Sequence, residues 1–455
     1  GCPDVPPASS SLTNRLAIGA PPAELGGAGG SAGSVFLAPL AATDRGPSVL
    51  DAAGLVLPTA AIPTTGAQTA RDGVVVRAQG GPAAGLEVEL LMRGDSGLDR
   101  GLSELRCPEP ATETWFTGAA TVVGVSSTLV VANPGDVPAL VDIELSGSKG
   151  PIDAAKGHKL TIAPGSRLSL PLEFLAPDEV VLGVHVVASS GRVVSSLRQV
   201  RGAADAPLGV DWIPPSAAPA KVAVLPGLPA GPGDRILVVG NTGPDDSVVS
   251  VQLVTAEGQF VPTGLAAVAV GAHTTKLISL TGQLATAAAS VRVTSESAPI
   301  VASVFLDASA ADSAIHEFAW VGAGLPLSGP TLVGNAGGSD TTTSTLYLSA
   351  PEGSATVTVG VVPNAGRPAP TGPPVTVSVP AGRLVALPAA DILKGTDSQG
   401  LVLSVTGGSG PVYAGRWLVE RGARGPLVTY LQLVSAPRVV PMPTVLADQS
   451  ASLPR

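Results

Sequence analysis

The chain has 455 residues, only 13 % of them charged, with 56 glycines, 44 prolines and a net charge of −9. That length exceeds one β-sandwich and suits three or four modules, while a 45 % hydrophobic content in strand-period runs excludes a disordered chain. Phosphate binding needs clustered Lys and Arg, and the acidic balance without such clusters argues against nucleic acid and anionic membrane surfaces as partners.

Residues 1 to about 70 are rich in Ala, Gly, Pro and Ser and read as an arm, interrupted by apolar runs at Ser34 to Leu40 and Gly54 to Leu57. From Gly73 the second half of a module follows: Val74 to Val76, a Gly80-Gly81 turn, then Leu86 to Leu91. Residues 1–110 are therefore expected to form a partial β module, and its open edges need a cover. The apolar segment Leu427 to Val434 is one source, which would bring the two ends of the chain together.

Three copies of one pattern follow. Each opens with an apolar run into an Asn and a Gly turn, at Asn133-Pro134-Gly135, Asn241-Thr242-Gly243 and Asn335-Ala336-Gly337. A small-residue turn comes next, at Pro164-Gly165, Gly271-Ala272 and Ala381-Gly382, and the third copy carries an apparent insertion over Val362 to Pro374. A hairpin closes each copy, around Ser190-Gly191, Ala298-Pro299 and Gly410-Pro411.

Short alternating runs between turn residues predict an all-β protein of tandem Ig-like or fibronectin-like β-sandwich modules. The expected divisions are 1–110, 111–212 (repeat 1), 213–312 (repeat 2), 313–436 (repeat 3, with the insertion) and a tail, 437–455. Helix is confined to short turns such as Ala389 to Lys394.

Cys2 and Cys107 are the only cysteines. An even pair in a turn-rich β protein reads as a disulfide formed in an oxidising compartment, set against lipidation of Cys2 or two free thiols. No apolar run reaches the roughly 20 residues of a membrane-crossing helix, and any signal or anchor is expected upstream. The chain reads as secreted or membrane-anchored, outside the cytoplasm.

The search for chemistry returns little. No Gly-x-Ser-x-Gly elbow, phosphate loop or Cys/His cluster is present, and His158, His185, His273 and His316 are scattered. The aspartates at 245, 246 and 340 read as turn residues, with loop-bound calcium the lesser reading. No catalytic residue, metal site or cofactor is assigned, and the chain is not expected to be an enzyme.

Trp115, Trp212, Trp320 and Trp417 fall near the module boundaries. Packing at the junctions is the simpler reading of them, and stacking against a glycan the alternative. The third-copy insertion, with Arg367 as its single charge, is the other candidate contact surface.

Cys107-Pro108, Trp115-Phe116-x-Gly118, Val131-Ala132-Asn133-Pro134, Asp211-Trp212-x-Pro214 and Leu225-Pro226-Gly227 together resemble a family of uncharacterised secreted or membrane-anchored actinobacterial proteins, over about residues 70 to 436. The excess of Arg over Lys fits the coding bias of such a high-GC source. The resemblance carries no activity to transfer. It implies a place in the cell envelope, beside glycosyltransferases, and hence a membrane glycosyltransferase or a wall polysaccharide as partner. The resulting expectation is a non-catalytic envelope protein that binds or scaffolds a protein or glycan. A carbohydrate-binding or glycan-processing protein with a site between modules, and a structural spacer, are the alternatives.

Overall fold

In a computed structural model, the structure describes residues 1–3, 13–21, 25–26, 33–39, 48–50, 60–62, 73–80, 83–203, 205–284, 287–309, 316–337, 341–362, 372–394, 396 and 400–436. The described residues are almost all β, in antiparallel sheets with one short helix, Ala389–Leu393. Alternation of apolar and polar residues explains the strands. In Ala139–Gly147 the side chains of Val141, Ile143 and Leu145 are buried, while Glu144 on the opposite face is exposed.

The third repeat shows the common plan. Its eight strands are Thr331–Val333, Thr342–Ala350, Ala355–Val362, Val375–Val379, Arg383–Pro388, Gly400–Gly408, Tyr413–Gly422 and Gly425–Leu433. They make two sheets, in the orders first–sixth–third–fourth and fifth–second–seventh–eighth. Both sheets contribute to the apolar core, Val357 and Leu403 from one and Leu346 and Ala414 from the other. Repeats 1 and 2 share this order, with one extra short strand each.

The sandwich reading therefore holds, but the strand order is not that of an immunoglobulin domain. There the first strand neighbours the second and the seventh the sixth. Here the first lies beside the sixth and the seventh beside the second. The closing segments consequently are not hairpins. Leu182–Ser190 and Val194–Gly202 belong to different sheets, so the Ser190-Gly191 turn arches across the core.

The N-terminal segment is a fourth module with sheets of its own, not a fragment waiting for C-terminal strands. One sheet joins Ala60–Ile62, Thr13–Gly19, Glu87–Gly94 and Gly101–Arg106, and the other Ser48–Leu50, Gly33–Pro39 and Val74–Gly80. Its first strand is reduced to a bridge between Cys2 and Val74. The Cys2–Cys107 disulfide spans 105 residues and ties that stub to the end of Gly101–Arg106. In the chain-entropy account a loop of that size is worth about 4–5 kcal/mol, which offsets the missing strand. Strand Gly425–Leu433 pairs instead with Tyr413–Gly422 of its own repeat.

Two further corrections concern the third repeat. Ala132, Gly240 and Ala350 occupy the same register against the fifth strand, so Asn133 and Asn241 correspond to Pro351, not to Asn335. In this phase twelve residues separate the third strand from the fourth in every copy, and the apparent insertion disappears. Strand Phe318–Gly322 is hydrogen-bonded to Ile300–Asp307 of the second repeat, so the boundary at 312/313 moves beyond Gly322. Asn133 and Asn241 do the same work. Each amide Nδ2 donates to two carbonyls, and each Oδ1 accepts from the glycine two residues on.

The four modules close into a ring through their eighth strands. Gly101–Arg106 packs on Pro207–Ile213, which packs on Phe318–Gly322, then on Gly425–Leu433, and that strand returns to Gly101–Arg106. Each module lends an anchor to the core of the one before it. Trp212 joins the N-terminal core, Phe318 and Trp320 that of repeat 1, and Trp417 and Tyr430 that of repeat 2. Leu91 and Leu102 of the N-terminal module close the circuit against Leu418 and Leu427.

Gly118 makes room for one of these anchors. A Cβ there would lie 2.3 Å from Trp320 Cη2, at a φ of +109°. Gly118→Ala is expected to cost about 1–3 kcal/mol by overpacking, measured as a lower denaturant midpoint with an unchanged slope.

Candidate functional site

Eighth strands are sheet edges, and at the centre of the ring their unpaired backbone groups are buried together. Side chains from other modules satisfy them. Glu317 accepts from the amide of Leu102 at 3.2 Å, Asp211 from Trp320 at 2.8 Å, and Thr429 Oγ1 from Glu104 at 2.9 Å. Thr429 in turn donates to Asp211 across the ring.

Arginines cap the carbonyls. Arg100 reaches His316 and Arg424, Arg106 reaches Leu332 and Val434, and Arg416 reaches Gly334. The charges pair as Arg100–Glu317, Arg416–Glu104 and Arg106 with Glu87 and Glu89. Burial pushes the carboxyls of Asp211 and Glu317 well above the usual range, and that of Glu87 up to about 8 against the pull of Arg106.

Beside this network lies an open cavity of about 610 Å³, lined by the N-terminal module, repeat 1 and repeat 3. Its wall is mostly apolar, with Val88, Leu105, Ile213, Pro214, Leu325 and Leu431, and includes the disulfide. Five uncharged polar atoms of its lining residues are buried without a hydrogen-bond partner: Ser195 Oγ, Ser196 Oγ, Trp212 Nε1, Tyr430 Oη and Gln432 Oε1. A buried group left unpaired costs about 1–3 kcal/mol, and native folds keep few of them. A mostly apolar cavity with a few polar residues in its lining is the pattern of a small-molecule site.

The tryptophans divide. Trp212, Trp320 and Trp417 are buried anchors of the ring, which removes them as glycan contacts on the surface. Trp115 alone is partly exposed, in a cleft between repeats 1 and 2. Arg367 lies outside the described residues, and with the insertion gone its loop loses the argument that singled it out. Among the described residues no helix is long and apolar enough to cross a membrane, and no group of three or more His, Cys, Asp or Glu is placed to hold a metal.

Sequence reasoning missed the buried acids at the ring's centre. Their signal is an acidic residue inside or against an apolar last strand, as in Ser103-Glu104-Leu105, Val210-Asp211-Trp212 and Glu317-Phe318.

The fold and its centre define an all-β repeat protein, four two-sheet modules closed on one another around a buried polar core with a cavity at its side. The chain belongs to a family of unknown function, DUF5719, whose model matches residues 60–390. That match runs from inside the N-terminal module to the short helix of repeat 3, so Arg416 and Thr429 lie beyond it. No curated protein matches the chain.

Proposed function

We propose that this protein is a non-catalytic binding protein of the cell envelope, acting outside the cytoplasm, and that it holds a small amphipathic molecule in the central cavity. The observation that carries the reading is the mostly apolar cavity between three modules, with Ser196, Trp212, Tyr430 and Gln432 among its lining residues. A ligand with an apolar body and a few hydroxyl, carbonyl or amide groups would suit such a lining. The disulfide supports an oxidising compartment. The role of accessory to an envelope partner, such as a membrane glycosyltransferase or a wall polysaccharide, rests on the family resemblance alone.

The test is mass spectrometry of the solvent extract from protein purified without detergent, alongside Ser196→Phe, which fills the cavity. We expect a molecule near one per chain in the native protein, and none in a Ser196→Phe variant that melts no lower. A native protein that carries nothing and is not stabilised by any amphipathic compound in a thermal screen would contradict the reading.

A further inference from the structure

We infer that the cleft between repeats 1 and 2 is a saccharide-binding site, separate from the central cavity. Sequence order scatters the histidines, but the structure brings three of the four, His158, His185 and His273, onto the wall of one cleft of about 320 Å³, together with Trp115. Strand register explains two of these four residues. Glu144, His185 and Trp115 are direct cross-strand neighbours on the outer face of one sheet.

His185 lies flat on the Trp115 indole, with ring centroids 3.5 Å apart and planes at 8°. Its two nitrogens meet Glu144 at 2.9 Å and Glu113 at 2.8 Å, and Trp115 Nε1 donates to Glu113 at 3.1 Å. The indole is thus held in one orientation at the cleft wall. Repeat 2 is fixed against this face because Gly183 has no side chain. A Cβ there would lie 2.8 Å from Thr275 Oγ1, which meets Ser146 Oγ at 3.0 Å.

His273 is the residue that packing does not explain. Its backbone is left-handed, with φ 50°, at the turn position where repeats 1 and 3 place Gly165 and Gly382, with φ 65° and 66°. A non-glycine residue there is disfavoured, and strain of this kind gathers at functional sites. The imidazole is exposed, with no hydrogen bond among the described residues.

The wall chemistry selects the ligand. The imidazole of His273, the second nitrogen of His158 and the Glu144 carboxylate beside the Trp115–His185 aromatic pair offer donors, acceptors and an aromatic surface, which suit a polyhydroxylated ring with an apolar C–H face. A phosphate ligand would call for Lys or Arg, and the cleft wall has neither and carries Glu144.

The test is titration of intrinsic tryptophan fluorescence with neutral linear trisaccharides of glucose, mannose, galactose and N-acetylglucosamine. Trp320 and Trp417 are buried in module cores and Trp212 lines the other cavity, so a change that persists in Ser196→Phe reports on Trp115. We expect saturable binding of at least one, abolished in Trp115→Ala when followed by calorimetry. In His273→Gly, which restores the residue of the other repeats and keeps the fold, affinity should fall at least tenfold. Ser196→Phe should leave it unchanged, which separates this site from the central cavity. No saturable binding by any member at millimolar concentration, or binding that survives both cleft variants, would overturn the inference.

Discussion

Replacing Arg416 by methionine should lower the unfolding free energy by about 3–5 kcal/mol, the cost of leaving a buried charge without its partner. Arg416 and Glu104 have fully buried side chains, and they come from the third repeat and the N-terminal module. With the guanidinium gone, Glu104 keeps a hydrogen bond from the amide of Asn335 at 3.3 Å but loses its ion-pair partner, and the carbonyl of Gly334 loses its donor. The double variant Glu104→Gln/Arg416→Met removes both charges and should recover most of the loss, since a neutral pair of similar volume carries no desolvated ion. Denaturant titrations of the three proteins measure this. A cost below about 1 kcal/mol for Arg416→Met would mean that the pair is hydrated and the ring is not closed at that point.

Stability should also fall as the pH rises from about 5 to 8. Glu87, Asp211 and Glu317 are each raised by burial, and Glu89 shares the direction and the cause. The sign follows from linkage. A carboxyl whose folded pKa lies above its unfolded value binds its proton more tightly in the fold, so its contribution is complete below the ordinary pKa and is lost on the way up to the folded one. Glu87, at about 8 against 4.5, sets the upper end of the window. It alone is worth on the order of 4 kcal/mol across that range, at about 1.4 kcal/mol per pH unit. The denaturant midpoint should therefore decline steadily between pH 5 and pH 8. A flat or rising profile would mean that the arginines, not burial, set the charge of these acids.

The modular β architecture was legible because strand alternation and turn chemistry are local. The paired roles of Asn133 and Asn241 follow from a short motif, and Cys2 with Cys107 from counting. What depended on register was not. Asn335 stands in the same apolar-Asn-Gly context as the other two, yet it ends a first strand and donates to Glu104 of another module. Only cross-strand pairing sets the phase, and the supposed insertion arose from that one misplacement. The N-terminal module reads as partial in sequence because its first strand is a single bridge and its first 70 residues are rich in Ala, Gly, Pro and Ser.

The candidate sites were legible only in outline. Trp115, Trp212, Trp320 and Trp417 look alike in sequence, and burial alone separates three ring anchors from one cleft residue. The grouping of His158, His185 and His273 needs one sheet and the neighbouring repeat, which no spacing rule encodes. The acids at 104, 211 and 317 read as odd charges on apolar strands until the strand edges they cap are seen together.

Ring closure is what creates the central cavity, and small-angle X-ray scattering tests it most directly. A compact chain of this length has a radius of gyration of roughly 22–23 Å. Four modules in line, each about 30 Å long from nine-residue strands, would exceed roughly 35 Å. The closed ring predicts a value within a few ångströms of the compact one, unchanged by salt, whereas an extended value would contradict the interlocked cores, the capped edges and the cavity together.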